Sequence, residues 1–320
     1  MILAGIDIGT NSIRLLIAET GPDAFRELYS ARRTTRLGKD LDRTGRFSSD
    51  AMERSFSALS EFSNLIRRYS VCQTSAIGTS ALRNASNAHA FIAEAHRRTG
   101  IAISVVSGED EARLTLLGMQ KALQGREGRE ADLLASALII DIGGGSTEFI
   151  VTNGFSAPLV QSLSLGAVYL AERWIATDPP ALEEIAALRH AIRTELDRAE
   201  KRGPALSYST GKRPEKLIGT AGTITTLAAM DQGMVTYDPA GINGSVLTRT
   251  ALDRIVETLV SSTLIERRTL AGLEPGREDI ILPGAFIAQE IMERYGYKEM
   301  LVSDWGLREG IVADLAAKQS

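Results

Sequence analysis

Two short stretches put acids next to turns where the backbone can come close to a ligand. "GIDIGTNS" places Asp7 two residues before Gly9, and "IIDIGGGSTEF" places Asp141 just ahead of Gly143, Gly144 and Gly145. Glycine lacks a Cβ, so such turns can take positive φ and approach a bound group closely. Successive N–H groups converging in a turn form an anion nest, to which Thr10, Asn11, Ser12, Ser146 and Thr147 add polar donors. Asp7 and Asp141 would repel bare phosphate there, which makes them ligands for Mg²⁺ or Mn²⁺, or positioners of water. Glu148 follows Asp141 by seven residues and can meet it across a hairpin. A third stretch, "IGTAGTITTL", sets Gly219, Thr220, Gly222 and Thr223 at a strand-to-helix turn, where free helix N–H groups favour an anion. Each loop alone reads equally as a tight turn with glycine for geometry. Three of them in one chain point to phosphate.

Other residues invite both a chemical and a plain reading. Glu109, Asp110 and Glu111 follow Ser107 where a helix begins, and local sequence makes them an N-cap with acids on the helix dipole. Arg83 follows "GTS" after a buried strand, the place where α/β proteins build sites, and its planar fork suits phosphoryl oxygens. The basic run "RTTRLGKDLDR" is a solvated face or a guide for a polyanion. No P-loop spacing and no G-x-G-x-x-G after a strand occurs. His89, His96 and His190 make no metal-ligand cluster and are expected on the surface.

These residues need elements to hold them. Residues 2–8, 12–20 and 24–38 read as strands joined by turns, and "SSDAMERSFSALSEFSNLIRRYS" as an amphipathic helix capped by serine. Strand and helix then alternate through "VCQTSAIG", a single helix in "TSALRNASNAHAFIAEAHRRTG", "IAISVVSG" and "EDEARLTLLGMQKAL", which argues for parallel strands in an α/β layer. The polar segment 124–133 is a linker candidate. Beyond it come strands in "ALIIDIGGGSTEFIVTNG" and "FSAPLVQSLSLG", helices over 179–202, 220–230, 248–262 and 277–295, strands at "KLIGT" and "KEMLVSD", an exposed loop over 202–215 and a closing helix "WGLREGIVADLAAK". The strand and Asp-Ile-Gly turn that open the chain return after 141 − 7 = 134 residues. Such an echo implies two similar halves with a cleft between them.

Composition sets the class. At 320 residues the chain has room for about two cores. A net charge of −4 gives no electrostatic reason to expect nucleic acid, so attraction of an anion must be local. The lone Cys72 cannot form an internal disulfide, which points to a reducing compartment; its apolar run suggests a buried structural thiol. "MILAGIDIGT" lacks a basic leader region, and no uncharged apolar run reaches the roughly 20 residues of a membrane helix. A soluble cytoplasmic protein, with no membrane partner, is expected.

Taken in order, "GIDIGTNSIRLLIAE", "TRLGKDLDRTGRFSSDAMER", "IGTSALRNASN", "VVSGEDEARLTLLG", "IIDIGGGSTEF", "LIGTAGTITTLAAM", "IILPGAFI" and "SDWGLREGIV" resemble the exopolyphosphatase / guanosine pentaphosphate phosphohydrolase family from end to end. The resemblance implies an α/β fold of two actin-like (ribonuclease H-like) domains with a cleft between them: 1–123 plus 304–320, and 124–303. It implies release of terminal phosphate from inorganic polyphosphate or guanosine pentaphosphate with Mg²⁺ or Mn²⁺, inhibition by alarmones, and a homodimer. The family's catalytic glutamate stands just before Ala-Arg in an "EEAR" pattern and maps to Glu111, with Asp110 in place of the preceding glutamate. Its substrate-clamping arginine maps to Arg83, and its phosphate and metal loop to Asp141, Gly143, Gly144, Gly145, Ser146 and Glu148. Many members append a helical domain after the stretch that this chain matches; without it, short or medium polyphosphate is expected to serve at least as well as long chains.

Three functions follow. The first is a metal-dependent phosphoanhydride hydrolase acting on polyphosphate. The second is a sugar-kinase-like phosphotransferase, which would need an adenosine pocket and an acceptor hydroxyl. The third is a non-catalytic sensor of alarmone or polyphosphate.

Overall fold

The computed structural model describes residues 1–21, 25–123, 133–153, 157–203, 206 and 213–318. The chain divides into two compact units, Met1–Arg126 with Trp305–Ser320, and Glu127–Asp304. In the first, the strands are β1 (Ile2–Ile8), β2 (Ser12–Thr20), β3 (Phe25–Thr34), β4 (Gln73–Gly78) and β5 (Ile103–Val105). Its helices are α1 (Leu41–Thr44), α2 (Ser49–Arg68), α3 (Ser80–Asn84), α4 (Ala88–Thr99) and α5 (Gly108–Leu123). The second unit runs β6 (Ala137–Ile142), β7 (Thr147–Thr152), β8 (Leu159–Leu163), α6 (Ala167–Trp174), α7 (Leu182–Arg202), β9 (Lys216–Thr220), α8 (Ala221–Asp231), α9 (Pro239–Ile242), β10 (Val246–Thr248), α10 (Arg249–Ser261), α11 (Leu264–Arg267), α12 (Ile281–Tyr295) and β11 (Glu299–Val302). A last helix, α13 (Leu307–Ala317), belongs to the first unit.

Among the described residues the first sheet has the order β3-β2-β1-β4-β5. The second has β10-β11-β9-β6-β7-β8, which read from β8 is the same order with one strand added at the end. In both, the first three strands are antiparallel neighbours and the next joins in parallel. The 134-residue echo is therefore a repeated α/β fold, one copy in each unit. Even its turns match: Gly9 N donates to Ser12 O at 3.0 Å, and Gly143 N to Ser146 O at 2.9 Å. A second echo pairs "AIGTSA" at the end of β4 with "LIGTAG" at the end of β9.

The apolar pattern explains the layers. β1 and β6 are buried along nearly their whole length, as strands covered on both faces must be. α2 buries Ala51, Ser55, Phe56, Leu59, Phe62 and Ser63, one stripe at helical spacing, and Ser48 accepts from Ala51 N to cap its start. Phe56 stacks on Phe91 of α4 with centroids 5.1 Å apart. α8 and α12 are buried nearly all round and form the centre of the second unit. α13 lies over β1 and β2 through Leu3, Leu16, Ala18, Val312 and Leu315.

Several expectations need correction. Cys72 is exposed, because β4 begins only at Gln73 and its first residues lie at the sheet's open end. The helix expected across "TSALRNASNAHAF" is broken at Ala85–Asn87: Asn87 turns its amide onto Phe47, accepting from its N at 2.8 Å and donating to its O at 3.0 Å. The strand expected to Gly38 stops at Thr34, and α12 starts at Ile281 rather than 277, after a turn closed by the Arg277–Glu274 ion pair at 2.6 Å. Helix α6 was not expected at all. The expected linker and the 202–215 loop fall largely outside the described residues. His89, His96 and His190 are exposed as expected, and among the described residues no helix is long and apolar enough to cross a membrane.

Candidate active site

In the first unit, β4 ends at Gly78 and the chain turns through Thr79 into α3, whose last turn carries Arg83. α5 starts after β5, and Glu111 lies in its first turn. The two side chains meet: Arg83 Nη1 donates to Glu111 Oε2 at 2.7 Å and to Val106 O at 3.0 Å. Glu111 is only 7% exposed. Its neighbours have other work. Asp110 N donates to Ser107 Oγ at 3.0 Å and Ser107 Oγ to Asp110 Oδ2 at 2.9 Å, a reciprocal cap, while Asp110 also pairs with Arg113. Glu109 is exposed. Of three consecutive acids, one is withdrawn from solvent and held by a guanidinium.

The first glycine turn lies between β1 and β2. Thr10 and Ser12 are buried, and the segment after β3 closes over the turn: Arg36 N donates to Asn11 O at 2.8 Å and Gly38 N to Thr10 O at 2.9 Å. Asp7 has Arg14 as its register partner.

In the second unit the equivalent position differs. Asp141 has Glu148 as its register partner across the β6–β7 hairpin, so both carboxylates stand on one face of the sheet. The row continues sideways to Ser162 on β8 and Thr220 on β9. Glu148 is 1% exposed and accepts from Ser162 Oγ at 2.8 Å. Sequence reading missed Ser162; its signal is register, which a strand one hairpin away does not reveal. Thr147 points to the other face, is fully buried, and donates its hydroxyl to Leu165 O. Strand alternation brings Glu148 into the row and turns the Thr147 side chain away from it.

The glycines also behave differently from expectation. Gly9, Gly143, Gly144 and Gly145 are not among the residues with positive φ. In the third loop the left-handed residue is Ala221, at φ 68, between Thr220 and Gly222. A residue with a Cβ is strained there, which marks this turn as held in place by its surroundings. Thr220 gives α8 no side-chain cap. Thr223 lies buried in the first turn of α8. Behind α8, Tyr237 donates to Asp304; burial and that neighbouring carboxylate push its phenol above the ordinary range.

Among the described residues no group of three or more His, Cys, Asp or Glu side chains gathers as a metal cage. The donors that do face each other, Asp141 and Glu148 with the Ser162 and Thr220 hydroxyls beside them, are hard oxygens. They suit Mg²⁺, which takes one or two carboxylates and keeps several waters.

A profile of the Ppx/GppA phosphatase family matches residues 16–319. This chain belongs to the Ppx/GppA phosphatase family. Exopolyphosphatase 2 of Mycobacterium tuberculosis is 35% identical over 98% of both chains. A solved exopolyphosphatase-like protein superposes with a TM-score of 0.90 at 32% identity, covering 99% of this chain and 98% of the other. The Aquifex aeolicus member of the Ppx/GppA family superposes at 0.79, also at 32% identity, over 100% and 99% of the two chains. Within a phosphatase family, the buried Glu111 with its arginine, and the carboxylate row beside the glycine turn, are the side chains whose chemistry fits a phosphoanhydride.

Proposed function

We propose that this chain is an exopolyphosphatase: it releases terminal phosphate from inorganic polyphosphate by metal-assisted attack of water. Such a reaction needs an oriented nucleophile, neutralised phosphoryl oxygens and in-line geometry. The observation that carries the reading is the buried Glu111 carboxylate held 2.7 Å from Arg83.

Glu111 orients the attacking water and takes its proton. The hydroxide oxygen joins the terminal phosphorus, the bridging P–O bond breaks, and the shortened chain leaves with the bridging oxygen. Arg83 lends its planar fork to the transferring phosphoryl group, whose charge it offsets. The amides of the glycine turns bind phosphate oxygens. Asp141 and Glu148 would hold Mg²⁺ or Mn²⁺, which when bound would supply Lewis-acid neutralisation of those oxygens. The choice of polyphosphate is supported by the full-length likeness to the mycobacterial exopolyphosphatase.

The test is colorimetric phosphate release from polyphosphate and from guanosine pentaphosphate, side by side with Mg²⁺ and no acceptor. Faster release from polyphosphate is the expected result. Release from guanosine pentaphosphate alone would move the substrate, and release from neither would contradict the reading.

A further inference from the structure

The Gly143–Gly145 turn is braced by a helix that carries no expected role. Ala167 N donates to Gly143 O at 3.0 Å, Val168 N to Gly144 O at 2.8 Å, and Tyr169 N reaches the same oxygen at 3.2 Å. These are the first three amides of α6, which a helix leaves without intrahelical partners. The residue ahead of them, Gly166, is extended (φ −126, ψ 154) and has no side chain to cap with. The turn's own carbonyls cap the helix instead. Distance demands the glycine: a Cβ at position 166 would stand 2.3 Å from Gly144 O and 2.5 Å from Gly145 C.

Planarity converts this contact into a statement about donors. In a trans peptide the C=O and the following N–H point in opposite directions. With the carbonyls of Gly143 and Gly144 turned onto α6, the N–H groups of Gly144 and Gly145 face away from it. Gly143 N–H is spent on Ser146 O at 2.9 Å. Two successive amides aimed the same way are the core of an anion nest, and the positive end of the α6 dipole polarises both peptides in the favourable sense. Three consecutive glycines would otherwise flip such peptides at little cost. α6 is itself anchored, since Ala167, Val168 and Ala171 pack with Ile280. A Cβ on Gly284 of α12 would stand 2.5 Å from Thr223 Cγ2 and 3.5 Å from Ala167 Cβ, so the third loop and the start of α6 lean on one spot of α12.

We propose that Gly166 and the first amides of α6 are the positioning elements of the phosphate loop, fixing the two peptides whose N–H groups, on Gly144 and Gly145, receive a phosphate oxygen. The inference rests on the phosphatase reading above. Gly166 and α6 act through the loop and touch no substrate.

Ala167→Pro deletes one of the bracing N–H groups while sparing the helix. Proline is favoured at the first helical position, and the extended backbone of Gly166 is what a residue before proline requires. The KM for tripolyphosphate is expected to rise about tenfold with kcat changed less than about threefold, the signature of lost binding rather than lost chemistry. Gly166→Ala should raise it further. Should Gly166→Ala fail to fold, the wild-type chain decides: in metal-free amide spectra, tripolyphosphate should shift the Gly144 and Gly145 N–H signals and leave Gly143 in place. A wild-type KM in Ala167→Pro overturns the proposal. So do Gly144 and Gly145 signals that stay put while other amides report binding. A wild-type chain that neither binds nor cleaves tripolyphosphate overturns the phosphatase reading, and the inference with it.

Discussion

Gly118 on α5 and Gly310 on α13 meet backbone to backbone. A Cβ on Gly118 would stand 2.0 Å from Gly306 O, and one on Gly310 would stand 1.8 Å from Leu114 O. The helix that carries Glu111 is thus held by direct contact with the last helix of the same unit. Overpacking such a contact typically costs about 1–3 kcal/mol. Gly310→Ala is expected to lower the thermal midpoint by several degrees. Because the two glycines share one contact, Gly118→Ala/Gly310→Ala should lose less than the sum of the single variants. A wild-type melting curve for Gly310→Ala would contradict this account of the crossing.

Arg83→Lys keeps the charge and loses the fork. With only a point charge at this position, turnover should fall by about a hundredfold, the usual scale for one transition-state contact of about 3 kcal/mol. Circular dichroism and the melting curve should match wild type, since Arg83 is partly exposed and its bond to Val106 O is one among many. An unchanged turnover number would make Arg83 a structural residue.

Glu148→Gln removes one of two facing carboxylates and keeps a side chain that Ser162 can still bond. The Mg²⁺ concentration giving half-maximal activity is expected to rise by about tenfold or more, and excess Mg²⁺ should restore part of the rate. Asp141→Asn should behave alike. The same metal dependence in all three proteins would remove Asp141 and Glu148 from metal binding.

Much of this organisation was legible in the sequence, for local reasons. The β1–β2 and β6–β7 hairpins announce themselves because apolar strands end in Asp-Ile-Gly, and cross-strand pairing of Asp141 with Glu148 follows from seven-residue spacing around a tight turn. What stayed hidden depends on distant partners. The break before α4 comes from Asn87 clasping Phe47, 40 residues away. Glu111 and Arg83 are 28 residues apart, so their contact could not be read from either stretch, and only likeness to a known family set Glu111 apart from the acids beside it. Helix α6 is short and sits between a strand and "TDPP", so its pattern was too brief to read. A Ser-Thr pair after glycines carries no mark of which hydroxyl faces which side, so the bond from the Thr147 hydroxyl to Leu165 O was not legible.

The central claim is that Glu111 activates the attacking water, and Glu111→Gln tests it most directly. Glutamine keeps nearly the same shape but cannot accept a proton. Phosphate release from polyphosphate and binding of the same polymer should be measured on this variant, on wild type and on Glu109→Gln, whose parent side chain is exposed one residue before the capping aspartate. Release should drop by roughly two to four orders of magnitude in Glu111→Gln while binding is kept or improved, and Glu109→Gln should resemble wild type. Near-normal release by Glu111→Gln, or an equal loss in Glu109→Gln, would contradict the claim.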